Sequence, residues 1–423
     1  MATSRCTRRL QTRLTGSLQH ELPMTMGGSN FAAFCGTQEQ RRQTLLQAVS
    51  RYCGRCGIVV LHDDPQLETM LSALPQQLAA AGSAAQNFQI HTLQRKNYDP
   101  LYGLDEDAVV NLLLPCDENT YPSAELQQVR AGLMAYLSIM QYRFRQSPQL
   151  FGAYPFNLDL LMQLIQMPFV QLDSDVLSYL PASVAGGLRP VLSRSGMQQN
   201  VHAAVLPYAT AMAKYYWTPS GVQGHSRLSI VQAVQARQMI CLRIPGSRQD
   251  IMNWLCTELQ MLADRGLPFL LVSGELQLTR CRRMQSWFLH HSGANQYLGL
   301  LAPSMDSVAG SAEDVSAVFS RYDQIFVYRC NSAAQAAPFS HNYGEYERRQ
   351  TERSRQTYLP FPWLLPTFGG GRQVRHTTEP NIRAEELMDL RSGVFLCGAR
   401  YPIPVLIRRF QLPGGDRNVL SLP

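Results

Sequence analysis

The sequence predicts an α/β protein in which a mainly parallel β-sheet is interrupted by an all-helical domain. Short apolar runs rich in β-branched residues alternate with segments of helical periodicity, which is typical of a parallel sheet covered by helices on both faces. Between residues 107 and 224 the helical periodicity continues without a convincing strand. Apolar residues make up 45% of the 423-residue chain and charged residues 16%, which indicates a folded globular protein.

The strands and helices of this prediction follow from the spacing of apolar residues. Buried strands are predicted at residues 58–61, 88–93, 239–244, 269–272, 297–301 and 324–328. Helices with apolar residues at intervals of three and four are predicted at 123–146, 201–217 and 250–263. Near the end of the chain, 345–357 is interpreted as a charged, arginine-rich surface segment and 360–372 as a loop rich in proline and glycine.

This pattern predicts an α/β domain built from two segments with an all-helical insertion between them. The expected divisions are a basic flexible arm at 1–25, the first α/β segment at 26–106, the all-α insertion at 107–224, the second α/β segment at 225–410 and a tail at 411–423. The arm is assigned because the first twenty residues contain four arginines and no acidic residue.

Composition narrows the classes of function without selecting one. The net charge of +7 permits an acidic partner but does not require it. No apolar run approaches the roughly 18–20 residues that span a bilayer, so no transmembrane segment is predicted. Cys53 and Cys56 form a single C-x-x-C, which is too few ligands for zinc, so no metal site is predicted. Asp63 and Asp64 are interpreted as solvated acids of a turn.

Residues 34–49, FCGTQEQRRQTLLQAV, have the outline of a phosphate-binding loop that leads into a helix. Such a loop needs a second glycine, a lysine and a hydroxyl, in that order, five to seven residues after its first glycine. Counting from Gly36, the three places are taken by Arg41, Arg42 and Gln43, and Thr44 follows. Arg41 puts a side chain where only glycine lets the backbone approach phosphate, and Gln43 is a poor ligand for Mg²⁺. Read alone, the stretch is best interpreted as an ordinary turn followed by a helix.

Across residues 26–410 the order of segments resembles that of the type IV secretion coupling proteins, the conjugative DNA-transfer ATPases of the TraG/TraD kind. The stretches that carry the resemblance are FAAFCGTQEQRRQTLLQAV (31–49), CGIVVLHDDPQLE (56–68), NYDPLYGL (97–104), LPFLLVSGELQL (267–278), YLGLLAPSMDSV (297–308) and NIRAEELMDLRSGVFLCGARYPIPVLIRRF (381–410). The resemblance implies a RecA-like P-loop NTPase fold, ATP and Mg²⁺ as the only cofactors to consider, and an all-α domain at the place of the helical insertion.

The sequence departs from that family at four positions that phosphoryl transfer uses, which are those of the lysine, the Mg²⁺ hydroxyl, the Mg²⁺ carboxylate and the sensor amide. The second nucleotide motif keeps Glu275 but has Gly274 in place of the Mg²⁺-binding aspartate, and the sensor glutamine falls on Pro303 or Ser304. The resemblance and these losses together predict a pseudo-ATPase that acts as a scaffold or recruitment subunit. The first alternative is an active DNA-translocating ATPase with Arg42 in place of lysine and Glu275 as the catalytic residue.

A further alternative is a nucleic-acid-binding module that uses Arg280, Arg282 and Arg283 on DNA phosphates, although solvated surface arginines explain the same pattern. The resemblance implies partners among secretion or conjugation proteins, including an active coupling ATPase paralogue, DNA, and a homo- or hetero-oligomeric ring. It also implies a cytoplasmic location, at the bacterial inner membrane through those partners.

Overall fold

The computed structural model describes residues 29–80, 89–92, 101, 103–114, 123–147, 154–213, 229–291, 293, 295–343, 345–358, 367–391, 393–399 and 401–407. The predicted arm at 1–25 and the predicted tail at 411–423 lie outside these residues. The chain divides into two compact units. One contains Ser29–Arg41 and the segment from Pro303 onward, and the other contains Arg42–Ala302.

The first unit contains a mixed four-stranded sheet in the order β11-β10-β7-β1. Strands β1 and β7 are parallel neighbours, β10 runs antiparallel to β7, and β11 runs antiparallel to β10. The strands are β1 (Phe31–Phe34), β7 (Gln324–Val327), β10 (Val394–Gly398) and β11 (Tyr401–Ile407). All residues of β1 and β7 are buried, because both strands are made almost entirely of apolar side chains.

The first unit also contains three helices and a separate two-stranded ribbon. The ribbon pairs β8 (Glu345–Tyr358) with β9 (Thr367–Pro380) in antiparallel register. The helices are α12 (Ala312–Arg321), α13 (Ala333–Asn342) and α14 (Ala384–Met388). Ser311 begins α12 with a capping box, in which its hydroxyl accepts the Asp314 amide while the Asp314 carboxylate accepts the Ser311 amide.

The second unit contains a parallel five-stranded sheet in the order β6-β5-β2-β4-β3. Its strands are β2 (Gly57–His62), β3 (Ile90–Thr92), β4 (Met239–Arg243), β5 (Phe269–Gly274) and β6 (Gln296–Ala302). Every residue of β2 and β5 is buried, which explains why both read as continuous apolar runs. The carboxyl ends of β2 and β5 lie side by side, with His62 paired to Gly274.

Helices connect the parallel strands of the second unit. They are α2 (Pro65–Ala80), α9 (Ile230–Gln235), α10 (Gln249–Asp264) and α11 (Arg282–Leu289). Helix α1 (Gln38–Tyr52) follows β1, and the division between the two units falls within it, after Arg41. Apolar residues three and four apart give α10 one buried face, which includes Ile251, Leu255, Leu259 and Leu262.

The described residues between β3 and β4 are helical. Besides α9 they form α3 (Glu106–Leu113), α4 (Ala124–Gln146), α5 (Leu158–Gln166), α6 (Phe169–Asp175), α7 (Ala182–Leu192) and α8 (Met197–Ala213). Polar residues at the N-caps fix where several of these helices begin, since the side chains of Asp105, Ser123 and Asn157 accept backbone amides of α3, α4 and α5. No helix among the described residues combines the length and hydropathy needed to cross a bilayer.

The predicted α/β class with a mainly parallel sheet is confirmed. The ribbon β8–β9 differs from the prediction, since its first strand covers the segment interpreted as charged surface and its second begins inside the predicted loop at 360–372. Sequence reasoning recognises a strand by alternating or continuous apolar residues. The sequence of β8, EYERRQTERSRQTY, has neither pattern.

Candidate functional site

The connection between β1 and α1 is a tight turn of three residues, Cys35, Gly36 and Thr37. Both Cys35 and Gly36 have left-handed backbone angles, with φ of 61° and 64°. A Cβ atom on Gly36 would lie 2.4 Å from Cβ of Tyr328, and the Gly36 amide already donates to the Arg329 carbonyl at 2.9 Å. The glycine therefore allows close packing against the end of β7, which is sufficient reason for its presence without a phosphate.

A capping box satisfies backbone amides at the start of α1. The Thr37 amide donates to Oε1 of Gln40 at 2.8 Å, and the Gln40 amide donates to the Thr37 hydroxyl at 3.2 Å. In a phosphate-binding loop, amides at this place are the groups that receive the anion. Here the side chains of the chain itself accept their hydrogen bonds.

The Arg41 side chain binds two backbone carbonyls of this turn. Its Nη1 atom donates to the Cys35 carbonyl at 2.6 Å and to the Gly36 carbonyl at 3.0 Å, and the residue is only 4% exposed. The turn therefore presents carbonyl oxygens to a cation, whereas a phosphate-binding loop presents N–H groups to an anion. The polarity of the turn is the reverse of what a bound nucleotide requires.

Arg42 is bound to Asp64, the residue that follows the turn after β2. Its Nη2 atom donates to Oδ1 of Asp64 at 2.7 Å, its Nε atom donates to Oδ2, and its Nη1 atom donates to Oε1 of Gln66 at 2.7 Å. Asp64 also accepts the Gln66 amide at 3.0 Å at the start of α2. Burial alone would raise the pKa of Asp64, but the hydrogen bonds from Arg42 and Gln66 hold it below its ordinary value.

This ion pair corrects the interpretation of Asp64 as a solvated turn acid, because the residue is 1% exposed. The signal that could have identified it is Asp-Pro at the start of a helical pattern, which marks an N-cap, combined with the scarcity of unpaired buried charge in proteins. The arginine that pairs with it could not have been chosen from the sequence, since the two are 22 positions apart.

The other predicted residues of the loop, Gln43 and Thr44, lie within α1 beyond its first turn, Gln43 half-buried and Thr44 buried. Of the five predicted residues, the structure thus places Gly36 in the turn and the others in the helix. Whether any of them binds a nucleotide stays a prediction.

Glu275 follows β5 with a left-handed backbone, φ 63°. Its amide donates to the Leu301 carbonyl at 3.0 Å, which anchors the turn to β6. The preceding Gly274 has little room for a side chain, because a Cβ atom there would lie 3.0 Å from Cβ of His62 and 3.2 Å from Cδ2 of Leu67. An Mg²⁺-binding carboxylate at position 274 would require these neighbours to move.

Arg280, Arg282 and Arg283 are exposed around the start of α11. Arg280 donates from Nη1 to the Gly246 carbonyl at 2.7 Å, and Arg283 approaches the Asn253 carbonyl at 3.5 Å. Exposed guanidinium groups at a helix N-terminus can meet phosphates, and they can equally remain in solvent. The DNA-binding role of these arginines stays a prediction.

His62, at the end of β2, is a residue that sequence reasoning did not single out. It is fully buried, and within the described parts of the chain neither ring nitrogen has a hydrogen-bond partner, although Nε2 lies 3.5 Å from Oε1 of Glu68. The described residues contain no group of three or more His, Cys, Asp and Glu side chains placed to hold a metal ion. The apolar run IVVLH gave no signal that its last residue would be buried.

Comparisons with known proteins find little similarity to this chain. No family model matches it, and no curated protein gives a significant match. A solved structure with some similarity is VirB4 of Thermoanaerobacter pseudethanolicus, at 8% identity and a TM-score of 0.32, covering 70% of this chain and 76% of that chain. A likeness at that level carries no argument about function.

Proposed function

We propose that this chain is a coupling-protein-like subunit of a conjugative DNA-transfer or type IV secretion apparatus that does not hydrolyse ATP and acts as a scaffold or recruitment component. The order of the six sequence segments described above supports the family assignment. The α/β fold with helices between β3 and β4 is compatible with it. The geometry at the β1–α1 turn supports the loss of hydrolysis.

The observation that carries this proposal is the position of the Arg41 guanidinium. Hydrolysis of a nucleotide requires backbone N–H groups around the phosphates, a cation on the β- and γ-phosphates and a held Mg²⁺. In this chain Arg41 occupies the carbonyls of the turn, Arg42 is bound to Asp64, and position 274 has no carboxylate. Both arginines, at the glycine and lysine positions of the motif, are engaged in internal contacts.

The expected loss of rate is large. Removing one preorganised donor from an enzyme active site typically costs about 10²–10³ in kcat. Here the lysine, the Mg²⁺ hydroxyl, the Mg²⁺ carboxylate and the sensor amide of the family are all replaced. Turnover typical of a DNA-transfer motor is therefore not expected, even with Glu275 retained.

ATP turnover by the purified full-length chain tests the proposal. Phosphate release is measured with ATP and Mg²⁺, alone and with single- or double-stranded DNA, beside a Glu275→Gln variant as the matched control. We expect both proteins to release phosphate at the rate of a sample without protein. DNA-stimulated release that disappears in Glu275→Gln would instead establish the alternative of an active ATPase.

The recruitment role implies binding to an active coupling ATPase or to other proteins of the secretion channel at the cytoplasmic face of a bacterial inner membrane. Co-purification of the tagged chain with such an ATPase from cells that carry both tests this part. Recovery of the chain without any secretion or conjugation protein, under conditions that recover the channel intact, would contradict it.

A further inference from the structure

Two buried thiols lie close together at the β1–α1 turn, one of them in the turn itself. The sulfur atoms of Cys35 and Cys330 are 3.4 Å apart, and the residues are 2% and 1% exposed. Both cysteines are free. A disulfide has a sulfur–sulfur distance of about 2.0 Å, so the two sulfurs are about 1.4 Å from bonding distance.

The backbone around the two cysteines holds them in this position. Strands β1 and β7 are parallel neighbours, with Phe34 paired to Val327 immediately before the cysteine-containing turns. Beyond the strands the pairing continues, because the Gly36 amide donates to the Arg329 carbonyl and the Tyr328 amide donates to the Phe34 carbonyl. The thiols are therefore adjacent because of strand pairing across 295 positions of sequence, and the sequence alone gives no sign of it.

We propose that Cys35 and Cys330 are a disulfide-forming pair that reacts with a hydroperoxide and, once joined, ties the β1–α1 turn to the end of β7.

The two thiols differ in pKa, and this difference gives them separate roles in the oxidation reaction. The hydrogen bond between the two thiols lowers the pKa of Cys330, and the same bond together with burial raises the pKa of Cys35. Of the two thiols, Cys330 therefore loses its proton more readily, and we assign it the attacking role. Nucleophilic attack by a thiolate is the first step of thiol oxidation.

The reaction balances in two steps. The Cys330 thiolate attacks one oxygen of the hydroperoxide, the O–O bond breaks, and Cys330 becomes a sulfenic acid while hydroxide or alkoxide leaves. The Cys35 sulfur then attacks the Cys330 sulfur, the S–O bond breaks, and water leaves with the Cys35 proton. Two thiols lose two electrons in total, and the hydroperoxide accepts both. A dithiol reductant restores the pair by thiol–disulfide exchange.

Two other pairs of cysteines in the described residues serve as internal comparisons. The Cys53 thiol donates to the Val49 carbonyl at 3.3 Å, and burial raises the pKa of Cys53 to about 12 and of Cys56 to about 11. The Cys281 thiol lies 3.1 Å from Oδ1 of Asn253, and a hydrogen bond with Cys256 lowers its pKa to about 7. The case for Cys35 and Cys330 is the 3.4 Å distance between their sulfur atoms, and the lowered pKa of Cys281 makes Cys256–Cys281 the competing pair.

Peptide mapping of the oxidised full-length chain separates these outcomes. The native protein is treated with graded hydrogen peroxide, the remaining thiols are alkylated, and the chain is digested without reduction. We expect the first cross-link to join the peptides of Cys35 and Cys330 and to disappear after dithiothreitol. A first cross-link at Cys256–Cys281 or Cys53–Cys56 would overturn the proposal, as would oxidation of Cys330 to the sulfinic acid with Cys35 still free.

Amide hydrogen exchange gives a second readout. Residues 36–41 are expected to exchange more slowly in the oxidised protein than in the reduced protein, because the disulfide restricts opening of the turn. Cys330→Ser should abolish the change. Cys397→Ser, a buried cysteine of the same unit, should leave the change intact. Equal exchange in the oxidised and reduced wild-type protein would contradict the proposal that the disulfide ties the β1–α1 turn to β7. This comparison uses only the wild-type protein, so it does not depend on the folding of a variant.

Discussion

At the scale of single residues, the structure gives two arginines next to each other in sequence separate internal roles. Arg41 binds carbonyls of the turn that precedes α1, and Arg42 binds a carboxylate beyond β2. Both side chains are buried, so each guanidinium replaces its water contacts with bonds to the protein. In the sequence, Arg41 stands at the position of the motif's second glycine and Arg42 at the position of its lysine. The stability of the protein should therefore depend on these arginines.

Breaking the Arg42–Asp64 pair should be costly. Arg42→Ala leaves a buried carboxylate without its cation, which typically destabilises a protein by about 3–5 kcal/mol. Arg189→Ala is the control, since the Arg189–Asp173 pair is exposed and should cost less than about 1 kcal/mol. Urea unfolding of the two variants and the wild type measures both values. Equal losses of stability would show that burial of the pair does not matter.

The same ion pair should make the free energy of unfolding depend on pH in the acid range. The folded pKa of Asp64 is lower than its unfolded value of about 3.9, so its contribution is complete above that pH and is lost as pH falls through the folded pKa. The gap in unfolding free energy between wild type and Asp64→Asn should therefore be constant at neutral pH and narrow below about pH 4. Urea unfolding at a series of pH values checks this, and a gap that widens in acid would contradict it.

Alanine substitutions at Gly36 and Gly54 separate the cost of backbone strain from the cost of steric contact. Both have a left-handed φ, of 64° and 75°, but a Cβ atom at Gly54 would meet no atom within 4 Å. Gly54→Ala should cost about 1–2 kcal/mol for the backbone alone, whereas Gly36→Ala should add about 1–3 kcal/mol because of the contact with Tyr328. Similar unfolding free energies for the two variants would show that the turn can move away from β7.

At the scale of elements, the sequence predicted what depends on local pattern. The apolar runs of β2 and β5 and the periodicity of α4 and α10 matched the structure within a few residues, because burial of a continuous face leaves a continuous signal. The ribbon β8–β9 left no such signal. The contacts of the candidate site were also beyond sequence reasoning, since Arg42 with Asp64 and Cys35 with Cys330 are brought together by strand pairing and helix packing.

The N-terminus of α11 is the element at which DNA binding is to be tested. If Arg282 and Arg283 bind phosphates, changing both to glutamine should weaken DNA binding and reduce the slope of log affinity against log salt by about 0.9 for each phosphate that is no longer neutralised. A control with the same change in charge is Arg145→Gln with Arg194→Gln, at exposed positions of the helical segment. Fluorescence anisotropy with labelled DNA measures both slopes. Equal effects of the two double variants would indicate an effect of net charge rather than a binding site.

At the scale of the whole molecule, the chain has an α/β framework, and Arg41 and Arg42 both make internal contacts. The two units have buried apolar strands, and several polar groups after those strands form a cap, a turn and a buried ion pair. In the proposed function these contacts stay in place, because a cycle of nucleotide binding and release would have to break them.

Nucleotide binding tests the central claim most directly. The melting temperature of the full-length chain is measured across ATP concentrations up to the millimolar range, with and without Mg²⁺. A ligand that binds only the folded state must raise the melting temperature, and at 100 times its Kd it adds about 2.7 kcal/mol of stability. The account predicts no shift under either condition. A saturable, Mg²⁺-dependent rise would show that the turn opens to accept a nucleotide and would contradict the account.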